Sequence, residues 1–170
     1  VAIKKKEIFG KRSGYLPLEH IPGEAQADFG DAEFYENGKL YAGKYLNLSF
    51  PYSNQGYLQL FKGENQECLH EGLKTIFEHI GGVPGRIWFD NASTMVTKIL
   101  KNSERNLTDG FLRFMEHYRF EAAFCNANAG HEKGNVEGKV GYHRRNLLVP
   151  IPEFNNLKDF NQSILLQCEE

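Results

Sequence analysis

Apolar and polar residues change their period along this chain, and each change marks an element. Residues 24–36 (EAQADFGDAEFYE) alternate, with Ala25, Ala27 and Phe29 on one side and Gln26, Asp28 and Gly30 on the other. That is the period of a strand with two unlike faces. Asn37-Gly38 follows, a dipeptide suited to a two-residue hairpin turn. KLYAGKYLNLSF continues as a second strand, and Pro51, Ser53 and Asn54 mark a turn before GYLQLFKG at 56–63. Three strands joined by two short turns predict an antiparallel meander.

From Asn65 the period lengthens. Leu69, Leu73, Ile76, Phe77 and Ile80 fall at helical spacing, and Gly81-Gly82 with Pro84 end the helix. RIWFD (86–90) is a short bulky run, which predicts a strand buried on both faces between parallel neighbours. Phe111, Leu112, Phe114, Met115 and Tyr118 predict a helix over 108–118, and RFEAAF (119–124) a further strand. The loop NANAGHEKG leads to a helix over 132–147, and two prolines precede LKDFNQSILLQC, which reads as another helix. The order β-β-β-α-β-α-β-α implies an α/β fold with a mixed five-stranded sheet, three antiparallel strands followed by parallel ones, and helices on both faces.

Composition adds limits. A chain of 170 residues fits one domain, and 41% hydrophobic with 25% charged residues is ordinary for a globular protein. No apolar run approaches a membrane span. The charged opening VAIKKKEIFGKRSGY lacks the apolar centre of a secretory signal. Cys68, Cys125 and Cys168 form no CxxC pair, so neither a zinc site nor a disulfide framework is supported, and a reducing cytoplasm is the expected compartment. The start at Val1 without Met reads as a piece excised from a longer protein. The net charge of −2 argues at first against a nucleic-acid partner, but such binding depends on where charge sits. Basic residues gather at Lys4, Lys5, Lys6, Lys11 and Arg12, and again at Lys133, Lys139, His143, Arg144 and Arg145, whereas Glu24, Asp28, Asp31, Glu33 and Glu36 gather on the first strand.

Two aspartates stand out by position. Asp28 lies inside the first strand; it is either a site residue or a solvated member of the polar face. Asp90 ends the run IWF, at the carboxyl edge where open α/β sheets collect ligands. Asp90-Asn91 reads equally as a turn opener or cap. If the two strands are neighbours, their carboxylates converge, and two close carboxylates need a proton or a cation between them. Hard oxygen donors of this kind suit Mg²⁺ or Mn²⁺. On the helix over 132–147, Val136, Val140, His143 and Leu147 mark the buried stripe, with His143 a core histidine. Glu137 borders that stripe and shares a face with Lys133, Gly141 and Arg144. Gly134, Gly138 and Gly141 are costly in a helix and point either to close approach of a DNA backbone or to close packing on the sheet.

At these residues the chain resembles a family. GEAQADFGD, WFDNAST and GHEKGNVEGKVGYHRRNLLVP resemble, in order, the three acidic motifs of the retroviral-integrase-like (DDE) transposases. GGVP…FDNAST, FCNANAGHEKGNVE and YHRRNLLVP are similar to the IstA-type insertion-sequence transposases, over residues 22–152. The resemblance implies an RNase H-like catalytic core at 22–150, an N-terminal connector at 1–21, and at 151–170 a C-terminal connector with the start of a further helix. It implies metal-dependent DNA cleavage and strand transfer, with Asp28 bridging two Mg²⁺ ions and Asp90 and Glu137 each completing one, and with Mn²⁺ as a substitute. Lys133 and Arg144, and less directly Lys139 and Arg145, then become candidates for DNA phosphates. Asn91 becomes a candidate for positioning metal or strand, and His131 for a contact beside the scissile phosphate. The implied partners are transposon-end and target DNA, further copies of the chain on paired ends, and an IstB-type AAA+ ATPase, in a bacterial cytoplasm and on the nucleoid when DNA is bound. The 46 residues between Asp90 and Glu137 exceed the retroviral spacing, which points to an insertion in KILKNSERNLTDG (98–110) and makes Glu132 a rival to Glu137. A nuclease of the same fold without joining activity, and a non-catalytic DNA-binding or assembly domain, are the alternatives.

Overall fold

The computed structural model describes residues 21–89, 96–99, 105–124 and 145–169. Three long strands form the meander: β1 (Glu24–Glu36), β2 (Lys39–Phe50) and β3 (Gln55–Phe61). Asn37 (φ 51°) and Gly38 (φ 74°) both take left-handed conformations at the first turn, as a two-residue hairpin of type I′ requires. β4 (Arg86–Phe89) pairs parallel with β1, and β7 (Glu121–Phe124) pairs parallel with β4. The order across the sheet is β3-β2-β1-β4-β7, and the two-residue β8 (Glu153–Phe154) adds to the upper end of β1. The mixed sheet therefore follows the expected plan, with β8 as an addition.

Helix α1 (Gln66–Ile80) starts at Asn65, whose side chain accepts from the Cys68 N–H, and ends at Gly81. Helix α2 (Asp109–Tyr118) is capped by Thr108 in the same way. It ends at Tyr118 as expected, but the strand after it starts later. Arg119 caps it at φ 58°, so β7 begins at Glu121 instead of 119. Two further strands, β5 (Val96–Ile99) and β6 (Arg105–Leu107), form a separate antiparallel ribbon where the sequence pointed to an insertion.

Both faces of the sheet are buried, and β1 serves each with a different set of residues. Ala25 and Ala27 pack into a core with α1 (Leu69, Leu73, Ile76, Phe77) and with Phe111 of α2. Ala32 and Phe34, of the opposite parity, pack into a second core with Tyr45, Leu58, Leu60 and Leu148. Helix α3 (Leu157–Gln167) lies along the β3 edge and reaches both, since Ile164 belongs to the second core and Leu165 to the first. Its Asn161 side chain accepts from the Leu60 N–H at 2.8 Å and donates to the Leu60 carbonyl at 2.9 Å. An amide placed so occupies both hydrogen-bonding groups of one edge residue, as a further strand would. β4 is less buried than its bulk predicts: Ile87 and Phe89 are in the core, but Arg86 and Trp88 are half-buried on the other face. The indole of Trp88 donates to Glu24 (3.3 Å), because an indole N–H taken from water needs a partner.

Candidate active site

One face of the sheet carries the candidate chemistry, and it is the face that the even-numbered residues of β1 present. The register sets it out in rungs. The lowest joins Glu24, Arg86 and Glu121 across three strands. Arg86 donates to Glu24 at 3.0 Å and to Glu121 at 2.9 and 3.0 Å. Glu121 first, then Glu24, raise the guanidinium pKa further. This rung keeps a buried carboxylate, Glu24, paired at the floor of the face. Gln26 and Trp88 form the next rung.

Above it stands Asp28. It is half-buried in the interior of β1, with the side-chain parity expected from the alternation. The parallel pairing of β1 with β4 runs to Ala27↔Phe89, and the residues next in sequence are Asp28 and Asp90. On the antiparallel side Asp28 pairs with Asn47, which is fully buried, and Gly30 pairs with Tyr45. The Tyr45 ring lies across Gly30 so closely that a Cβ there would sit 2.3 Å from its Cζ and Oη. A glycine inside a strand often marks such an approach. Asn47, Ser49 and Tyr45 share this face in β2 and escaped the sequence reading. Their signal was present in YLNLSF, where Leu46 and Leu48 alternate with polar residues that the register aligns with Gln26, Asp28 and Gly30.

The rest of the acidic cluster of β1 has other duties. Asp31 pairs with Lys44 at 2.8 Å. Glu36 pairs with Lys62 and accepts from the Leu157 N–H, and both hold its carboxyl below the usual carboxylate range. Of the other residues singled out in the sequence, Arg145 is exposed. Asp90, Asn91, His131, Glu132, Lys133, Glu137, Lys139 and Arg144 lie outside the described residues, as does nearly all of the helix expected over 132–147. Among the described residues no group of three His, Cys, Asp or Glu side chains could hold a metal ion.

Comparison with known proteins bears on this arrangement. No family model matches the chain. It is 30% identical over 160 residues to a transposase of Aminobacter aminovorans, covering 94% of this chain and 32% of that one. It is also 30% identical over 156 residues to the transposase for insertion sequences IS1326/IS1353 of Pseudomonas aeruginosa, covering 91% and 31%. A transposase of an IS21-like element of Bacteroides fragilis is 29% identical over 154 residues, covering 86% of this chain and 28% of that one. The chain thus spans about a third of the length of the curated relatives it matches. In fold it is similar to the HTLV-2 integrase catalytic core domain, solved in complex with magnesium, with a TM-score of 0.58 at 16% identity over 89% of this chain and 87% of that one. The catalytic core of BIV integrase gives 0.54 at 9% identity, over 85% of this chain and 82% of that one. In sequence the chain is similar to a stretch of insertion-sequence transposases, and in fold it is similar to retroviral integrase catalytic cores.

Proposed function

We propose that this segment is the catalytic core of a DNA transposase that cleaves DNA at transposon ends and joins the 3′ ends to target DNA. The observation that carries the reading is the β1–β4 register, whose last described pair is Ala27↔Phe89 on adjacent parallel strands, the residues next in sequence being Asp28 and Asp90. Asp28, Asp90 and Glu137 are the proposed donor set. Their oxygens are the hard ligands that Mg²⁺ and Mn²⁺ take, and the magnesium in the HTLV-2 integrase core supports a divalent cation here. Asp28 would hold two ions in common, with Asp90 and Glu137 holding one each. When bound, such ions activate an attacking hydroxyl and stabilise charge on the leaving oxygen.

The chain's own groups supply placement. The paired rung of Glu24, Arg86 and Glu121 removes two rival carboxylates from the face on which Asp28 stands. Lys133 and Arg144, with Lys139 and Arg145 beside them, would hold DNA phosphates, Asn91 would orient the strand end, and His131 would stand by the scissile phosphate. Exposure of Arg145 suits that role. In the longer protein we place this core in a multimer on paired DNA ends, working with an IstB-type AAA+ ATPase in the bacterial cytoplasm.

The test is strand transfer in Mg²⁺ with pre-cut ends. Joined products are expected. Asp28→Asn and Asp90→Asn should each lower joining by more than about 100-fold, since even groups behind a metal ligand typically cost 10–100-fold. Hydrolysis without joining would make the protein a nuclease, and nicking that survives Asp90→Asn would remove that residue from the site.

A further inference from the structure

Tyr45 of β2 stands directly across from Gly30 of β1 and belongs to the second core, with 5% of its surface exposed. The atoms that a side chain at position 30 would meet are Cζ, Oη and Cε1 of its ring. The ring therefore crosses from β2 and sets its hydroxyl end, rather than its middle, over β1. A ring laid over a cross-strand glycine covers it as well without a hydroxyl, so the phenolic oxygen calls for its own account. A buried Tyr O–H usually finds a hydrogen-bond partner.

Two side chains of β1 flank Gly30 on this face. Ala32, above it, has no polar atom and packs with Phe34, Leu58 and Leu60. Asp28, below it, is half-buried and carries a carboxylate. Positions two apart on one strand face stand about 6.5 Å from each other. A phenol lying over Gly30 and a side chain leaning along the strand can close that gap. Tyr41, on the same face of β2, has a different setting: it pairs with Phe34 and stacks on its ring at 5.7 Å between centroids.

We propose that Tyr45 is a positioning residue for Asp28, its hydroxyl donating to the carboxylate. That bond fixes the Asp28 rotamer and leaves the remaining lone pairs of the carboxylate for cations. The effect on metal binding rests on the proposed function, which makes Asp28 a ligand; the contact itself does not. Carboxylates that bind metal are commonly held by such hydrogen bonds, and removing the partner typically costs about 10–100-fold in metal affinity or activity.

Two measurements on the 170-residue chain test the proposal. In the absence of metal, chemical denaturation compares Tyr45→Phe, Asp28→Ala and the double variant. Tyr45→Phe should lower the folding equilibrium constant about tenfold in the otherwise unsubstituted chain, and by little on the Asp28→Ala background. Mn²⁺ binding is then followed by the paramagnetic resonance signal of the free ion, with a duplex ending in a free 3′-hydroxyl present. Tyr45→Phe should raise the Mn²⁺ dissociation constant about tenfold or more, whereas Tyr41→Phe should leave it unchanged. Additive effects of the two substitutions on folding overturn the contact. Coupled effects with an unchanged Mn²⁺ affinity overturn the positioning role and leave Asp28 standing as a ligand. Mn²⁺ binding that is absent from the unsubstituted chain, or indifferent to Asp28→Ala, overturns both this role and the place of Asp28 in the proposed function.

Discussion

Asp28 and Gly30 stand two positions apart on the same face of β1 and constrain it differently. Asp28 can be replaced by Asn without loss of volume, so its substitution reads chemistry. Gly30 reads packing, because the buried Tyr45 ring occupies the space a side chain would need. Gly30→Ala should cost about 1–3 kcal/mol, measured by chemical denaturation. An unchanged midpoint would mean that the ring swings aside at no cost. The face of Asp28 was legible in the sequence, because strict alternation assigns it. The ring over Gly30 and the buried Asn47 beside Asp28 were not, because cross-strand neighbours depend on a register that composition leaves open. Glu137 rests on motif and helical spacing alone.

Among the elements, the two helices of the first face had ends that could be read in advance, since Asn65, Gly81 and Thr108 are capping residues at the right places. Their contact carries a pH dependence. The His70 ring stacks on Phe114 at 4.3 Å between centroids, and burial holds its pKa below the ordinary 6.5. The folded chain therefore resists a proton that the unfolded chain accepts. Its contribution is intact above pH 6.5 and is lost as pH falls from there toward the lowered folded value. Denaturation midpoints measured from pH 7.5 down to 5 should decline, and His70→Gln should flatten the decline; an equal slope in both proteins would remove His70 as the cause. The ribbon was harder to foresee as strands, because runs of four and three residues are too short to establish a period. The start of β7 shifted because Arg119 was spent on capping α2.

At the scale of the molecule, the meander and the parallel additions could be derived from element order. That β4 enters beside β1, pairing Ala27 with Phe89, could not, since several placements of a crossover strand satisfy the same pattern. The role of α3 was equally hidden. A helix can be read from LKDFNQSILLQ, but its seat on the β3 edge depends on Asn161 meeting Leu60. Asn161→Leu should leave the Leu60 N–H and carbonyl unmet and cost about 1–3 kcal/mol. It should also increase self-association through the opened edge, read by light scattering against concentration. A variant that is destabilised but stays monodisperse would mean that α3 still shields the edge without its amide.

β1 buries Ala25 and Ala27 toward one core and Ala32 and Phe34 toward the other, with Asp28 between the two sets. Inserting or deleting one residue between those sets would reverse the parity of one half and turn its anchors out of their core. A change of two residues below Asp28 would keep parity but carry its carboxylate about 6.5 Å along the strand, away from the end of β4. This strand can therefore diverge by substitution but hardly by length. Lineages that lengthen or shorten this segment would have to do so elsewhere, for instance between β4 and α2, where the β5–β6 ribbon stands apart from the main sheet.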